Sequence, residues 1–338
     1  MQQLTGRRTP IPHAAGANPR QRDQPARPTM THAYASTLIS PALLIDRRSR
    51  PRGGRAPGAF RRFASAACSL MASLVVAGGS AHAADLVVPA YFYPSGSGAT
   101  AWNTLATNAA SVPLTAIVNP NSGPGTAADP AYTSAIAKVR TAGGKVIAYV
   151  HTSYGARSLS DVTADINRYL AFYTVDGFFI DEMANDSTTA HVQYYQSLYN
   201  YIKGLSPNYQ VVNNPGSKLP AIYASLPVAD RFVVYEDKQA NYAGFVPDAW
   251  QAAHGASRFI HIVYNATSSQ LAGDLQFAAA NGAGGVYITS LKLPNPYNGL
   301  PSYWSQEVSA VAALNPAPAS AGGKNTRIAV ARPGGRGR

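Results

Sequence analysis

Cysteine is nearly absent from this 338-residue chain, with Cys68 its only example. One thiol cannot close an intramolecular disulfide, so neither a cystine framework nor a Cys-x-x-Cys metal or redox motif is available. No apolar run reaches the roughly 20 residues that a bilayer-spanning helix needs. A G-x-S-x-G nucleophile elbow is missing, as are the Gly-Lys-Ser/Thr ending of a phosphate loop and a glycine-rich dinucleotide turn. His151, His191, His254 and His261 show no metal-ligand spacing, so neither a metal nor a cofactor is expected. A deacetylase or esterase would need a metal or nucleophile triad that these residues do not form.

Acids are also scarce, 16 against 28 Lys and Arg, for a net charge of +12. Their distribution matters more than the total. Residues 1–83 hold 12 Arg and only Asp23 and Asp46, residues 84–315 hold 11 basic and 14 acidic side chains, and residues 316–338 hold 5 basic ones and no acid. The basicity therefore belongs to the ends, and the central region is mildly acidic. That excludes the basic surface a nucleic-acid partner would require.

Arg61 and Arg62 precede an apolar run from Ala66 to Gly78, followed by Ala81-His82-Ala83. This is the charged, apolar and small-residue sequence of a secretory signal at 61–83, with cleavage expected after Ala83. The mature protein is then secreted, periplasmic or displayed at the cell surface, with no membrane span. Phe63 directly follows the arginines, which weakens a twin-arginine export signal. Cys68 lies at the start of the apolar run and does not fit a lipidation site. Residues 1–60 read as a disordered or over-extended leader, and 316–338 as a disordered basic tail.

Residues 84–315 alternate between two patterns. Short apolar or β-branched runs occur at 86–93, 114–119, 145–151, 175–180, 209–213, 231–236, 258–264 and 285–289. Helix-like segments lie at 101–110, 130–142, 159–173, 188–205, 219–225, 247–254, 268–281 and 302–314. Asp129-Pro130 and Ser158 to Asp161 are helix starts, and Gly143, Gly204 and Gly282 are stops. Eight strands alternating with eight helices in about 230 residues predict a single α/β domain, a (β/α)8 TIM-type barrel. That length buries a sufficient core without disulfides. The alternative is a doubly wound open sheet, which the count of eight disfavours.

In such a barrel the active site forms at the C-terminal ends of the strands. Those ends carry Tyr91, Tyr93, Asn119, Asn121, Tyr149, His151, Asp181, Glu182, Asn213, Asn214, Tyr235, Glu236, Asp237, His261, Tyr264, Tyr287 and Thr289. Acids stand only on the fourth end, Asp181 and Glu182, and the sixth, Glu236 and Asp237. Second-neighbour strands lie about 9–10 Å apart at a spacing of ~4.8 Å. Converging carboxyls would then be roughly 5–8 Å apart, which spans both geometries of glycoside hydrolysis: ~5–5.5 Å for retention and ~6.5–9.5 Å for inversion. The competing role for Asp181 or Asp237 is structural, capping a helix or pairing with Arg157 or Lys238. Tyrosine is abundant, and aromatic faces pack well on the C–H faces of sugars. Tyr91, Tyr93, Tyr149 and Tyr235 are the best placed for that. The loop Asn119-Pro-Asn-Ser-Gly-Pro-Gly125 is either a tight multiple turn or a rigid arm that aims Asn119 or Asn121 into the cleft.

Four stretches carry a resemblance: Val88-Pro-Ala-Tyr-Phe-Tyr-Pro94, the 119–125 loop, Ala148-Tyr-Val-His-Thr-Ser-Tyr-Gly155 with Arg157, and Asp176-Gly-Phe-Phe-Ile-Asp-Glu182. Over roughly residues 86–314 the chain resembles the spherulin-4 family. The resemblance implies an exported (β/α)8 glycoside hydrolase acting on an exopolysaccharide that contains N-acetylgalactosamine or galactosamine. It implies that Asp181 is the nucleophile or oxocarbenium stabiliser, Glu236 the general acid/base, and Glu182 an orienting neighbour. Substrate contacts are expected from Tyr91, Tyr93, Asn119, Asn121, Tyr149, His151, Asn213, Tyr235, Asp237 and Tyr287. The partner is the polysaccharide, the action endo, and the enzyme a monomer. The competing class is a non-catalytic carbohydrate-binding or surface protein on the same barrel.

Overall fold

The computed structural model describes residues 84–315. The expected leader, signal and tail lie outside the described residues.

Eight parallel strands close into one barrel in sequence order. They are β1 (Asp85–Ala90), β2 (Leu114–Val118), β3 (Lys145–His151), β4 (Gly177–Asp181), β5 (Gln210–Asn213), β6 (Arg231–Lys238), β7 (Phe259–Tyr264) and β8 (Gly285–Ile288). The helices are α1 (Gly96–Ala109), α2 (Pro130–Thr141), α3 (Leu159–Phe172), α4 (Thr189–Leu205), α5 (Ile222–Ser225), α6 (Gln239–Tyr242), α7 (Leu271–Ala280) and α8 (Trp304–Leu314). β2 and β4 are buried along their whole length, the mark of parallel strands covered on both faces. The single-domain (β/α)8 barrel is what the alternating pattern predicts.

Local chemistry sets the helix starts. Asp129 accepts the Ala131 amide ahead of α2, with Pro130 in the first turn where no N–H is needed. Ser158 accepts the Asp161 amide ahead of α3. Two expected helices shrink. The 219–225 segment is helical only over Ile222–Ser225, because Pro220 disfavours helical backbone at Leu219. The 247–254 segment is a 3-10 turn, Ala249–Ala253, bracketed by Pro247 and Gly255 and closed by a reciprocal Asp248–Gln251 capping box. The short α6 has no counterpart in the sequence reading.

The N-terminal floor of the barrel is tied by charge. Arg231 Nη1 and Nη2 each donate to Asp85 at 2.7 Å, linking β6 to β1 across the interior. Gly285 makes room for this fork, since a Cβ there would lie 2.3 Å from Arg231 Nη2. Asp176 and Asp230, one residue ahead of β4 and β6, share a second device. Asp176 accepts the Val146 amide at 2.8 Å and Arg140 Nε at 3.0 Å. Asp230 accepts the Val211 amide at 2.8 Å and Lys203 Nζ at 2.6 Å.

Pairing between β1 and β8 covers only Asp85–Gly285 and Leu86–Val286. Above it the seam is filled from outside the sheet. The buried Glu307 of α8 accepts the Ile288 amide at 2.7 Å, and the Tyr91 amide donates to Tyr297 O at 3.1 Å. Asn315 Nδ2 donates to Ala84 O at 2.6 Å, so the first and last described residues touch.

Candidate active site

Asp181 ends β4 and is 7% exposed. Asn214 follows β5, and its amide donates to Ile180 O at 2.8 Å. The side chain of Asn214 donates from Nδ2 to Asp181 Oδ1 at 2.8 Å and to Glu236 Oε2 at 2.6 Å. Its Oδ1 accepts the Gly216 amide at 2.8 Å, which fixes the orientation of the side-chain amide. One nitrogen thus bridges two carboxylates from different strands. The two bond lengths together cap the Oδ1–Oε2 separation at about 5.4 Å.

Glu236 faces inward because of an irregularity. Side chains alternate along a strand, so residues 231 and 236, five apart, should point to opposite faces. The register with β7 shifts between Val233 and Tyr235, and one extra residue reverses the alternation. Arg231 therefore crosses the floor of the barrel while Glu236 enters its mouth. Tyr235 is turned the other way, against Tyr242, Phe245 and His261.

The other oxygen of Glu236 accepts Tyr297 Oη at 2.7 Å. Tyr297 lies on the loop from β8 to α8 and begins an aromatic arc. Its ring meets Tyr91 edge-on at 5.6 Å, Tyr91 meets Tyr149 edge-on at 5.6 Å, and Tyr149 stacks on Phe179 at 6.4 Å. Tyr91 is partly exposed and Tyr149 and Tyr297 are buried, so the arc forms a wall of the mouth.

Glu182 adopts φ +52°, the left-handed region. Its Oε2 lies 3.4 Å from His151 Nδ1, and both side chains are about one-third exposed at the rim. Asp181, Glu182, Glu236, His151, Tyr91 and Tyr149 thus gather at one end of the barrel.

The remaining expected contacts do not gather there. Asn119 spends its Oδ1 on the Gly123 amide at 3.0 Å, closing its own loop, and Asn121 is exposed. Asn213 is 1% exposed and donates to Val228 O, because adjacent residues at a strand end face opposite ways. Asp237 accepts the Lys238 amide, Tyr264 Oη and Asn241 Nδ2, a structural role, though by these bonds rather than the helix cap or Lys238 ion pair weighed for it. Tyr235 donates to Lys238 O on the outer side. Tyr93 is exposed and donates to Asp129. Tyr287 is fully buried beside Tyr297 and donates to Gly299 O. Arg157 bonds Asp165 and His151 O rather than Asp181. Asn214 is among the strand-end residues but not among the expected contacts, and Tyr297 is not a candidate at all. Asn214 stands one place beyond Asn213, and Tyr297 belongs to a loop rather than to a strand end.

Among the described residues no three His, Cys, Asp or Glu side chains converge as a metal site, and no helix is long and apolar enough to cross a membrane.

The model of spherulation-specific family 4 matches residues 85–311. Spherulin-4 of Physarum polycephalum is 37% identical over 242 residues, covering 68% of this chain and 70% of the relative. The crystal structure of Aspergillus clavatus Sph3 in complex with GalNAc superposes with a TM-score of 0.58 at 28% identity, over 68% of this chain and 97% of that one. A match to two-thirds of the chain, agreeing with a 37% identical relative and a shared barrel, places the protein in the spherulin-4 family.

Proposed function

We propose that this chain is an exported, endo-acting glycoside hydrolase that cleaves an exopolysaccharide containing N-acetylgalactosamine or galactosamine. The observation that carries the reading is the Asn214 bridge, which keeps one oxygen of Asp181 and one of Glu236 within about 5.4 Å and so favours the closer pairing of retaining enzymes. Sph3, a 28% identical barrel, was solved with GalNAc bound, which supports the sugar class.

In the proposed reaction Asp181 attacks the anomeric carbon while Glu236 gives a proton to the departing glycosidic oxygen. Glu236 then removes a proton from the water that releases the glycosyl-enzyme. Hydrogen bonds hold both oxygens of Glu236 in place for this exchange. Glu236 Oε2 faces the Asn214 N–H, which can only donate. Oε1 accepts the Tyr297 hydroxyl. Glu182 and His151 line the rim, where they orient substrate. Tyr91, the partly exposed ring of the aromatic arc, offers an apolar face for a sugar ring.

Incubation of the purified chain with galactosaminogalactan tests this reading. Wild type should release oligosaccharides with retained anomeric configuration. Asp181→Asn and Glu236→Gln should each lose on the order of a thousandfold in turnover. Product release untouched by either change would sink the assignment.

A further inference from the structure

The backbone of Glu182 requires an explanation. At φ +52° a side chain with a Cβ is strained, and such conformations persist only when their surroundings over-determine them. Following the alternation of β4, the residue after inward-facing Asp181 would project into the helix layer. The turn at φ +52° brings Glu182 instead to the rim beside His151.

A chain of groups with one permitted bonding direction holds that turn. The Glu182 carbonyl accepts Thr152 Oγ1 at 2.8 Å and the Tyr154 amide at 2.7 Å. The Asp181 carbonyl accepts the Thr152 amide at 3.0 Å. Carbonyls can only accept, so the hydroxyl proton of Thr152 goes to the Glu182 carbonyl, with the Asp181 carbonyl 3.2 Å away as its second acceptor, and not to Tyr195. Thr152 Oγ1 must then accept from Tyr195 Oη, 2.9 Å away. Tyr195 Oη in turn accepts the Ala184 amide at 2.8 Å. The order runs from the Ala184 amide through Tyr195 and Thr152 to the Glu182 carbonyl, and each hydroxyl donates once. Thr152 is 0% exposed and Tyr195 1%, so water cannot replace either bond. The supporting turn is itself left-handed at Ser153, Tyr154 and Gly155. A Cβ on Gly155 would lie 2.9 Å from the His191 ring.

We propose that Thr152 and Tyr195 are positioning residues that clamp Glu182 in its left-handed conformation, so that both carboxylates of the Asp181-Glu182 pair serve one cleft. The clamp rests on the proposed reaction for its catalytic meaning, but its physical existence is independent of it.

Two measurements on the full chain separate these. The first is a thermal-unfolding cycle of Thr152→Val and Glu182→Gly, alone and combined. Glycine adopts positive φ without a steric penalty, so a clamp is less needed in that background. Thr152→Val should lower the melting temperature by about 3–6 °C with Glu182 present and by less than half as much with glycine there. Equal losses in both backgrounds would overturn the clamp. This test needs no turnover, so it stands even if the chain proves non-catalytic.

The second compares kcat and KM on galactosaminogalactan at a temperature where all variants are folded. Thr152→Val and Tyr195→Phe should lose about tenfold in kcat with KM within twofold, as a misplaced group acts on the transition state. Thr152→Ser, which keeps the hydroxyl, should recover most of the wild-type kcat. A serine variant as slow as the valine one, or a loss confined to KM, would overturn the positioning role.

Discussion

Asn214 uses both hydrogens of one amide on two carboxylates, a task no other uncharged side chain of its length can perform. Asn214→Ala would leave Asp181 and Glu236 without their common donor, and the pair would move apart. The expected result is about a hundredfold loss of kcat on the polymer, the scale of a misplacement near 1 Å. Tyr297→Phe removes one donor from Glu236 and should lose about tenfold, with product configuration unchanged by NMR. Reading strand ends reaches Asn214 without marking it as a contact and misses Tyr297, which lies on a loop. At the end of a strand a slip of one position exchanges the two faces. Asn213 and Asn214 are chemically identical in sequence, and only the register decides which reaches the acids. Tyr235, Glu236 and Asp237 pose the same problem, resolved by a bulge that leaves no mark in the composition of β6.

The strands themselves were legible, because a buried parallel strand needs a short apolar run and little else. The elements that were misread are those with weak local signals. α5 and α6 have four residues each, too few to show a helical period, and the 247–254 segment owes its 3-10 turn to a capping box between two breakers. The aspartates that lead into β4 and β6 were equally hidden. Asp176 and Asp230 do the same work, yet their basic partners come from α2 in one case and α4 in the other, so no sequence repeat betrays them. The floor clamp makes a sharper test. Asp85→Ala leaves the Arg231 guanidinium without its partner, with its side chain only 8% exposed. Removing one member of such a pair typically costs about 3–5 kcal/mol. Urea unfolding should show a loss of that size, and a loss below about 1 kcal/mol would mean that the arginine finds water instead.

For the molecule as a whole, the basic net charge describes the segments outside the barrel, while residues 84–315 hold 14 acids to 11 bases. Stability of the barrel should follow pH through its buried groups. Glu307 is buried and its pKa is pushed up to about 8 by desolvation, against 4.5 in water. The folded state therefore prefers the protonated acid. That stability is fully present below about pH 4.5, declines as pH rises, and is gone above about 8. Burial raises Asp274 in the same direction. His261 is pushed down to about 3 by burial, so it opposes folding as pH falls below 6.5. Thermal unfolding should show a lower melting temperature at pH 8.5 than at pH 6, and Glu307→Gln should flatten that difference. A slope unchanged by the glutamine would place the titration elsewhere. The contact between Asn315 and Ala84 has its own consequence: the barrel is closed along the covalent chain as nearly as it is around its sheet. A short linker across that gap, with a new opening at the exposed Ala127–Ala128 in the loop before α2, would make a circular permutant whose strands keep every neighbour.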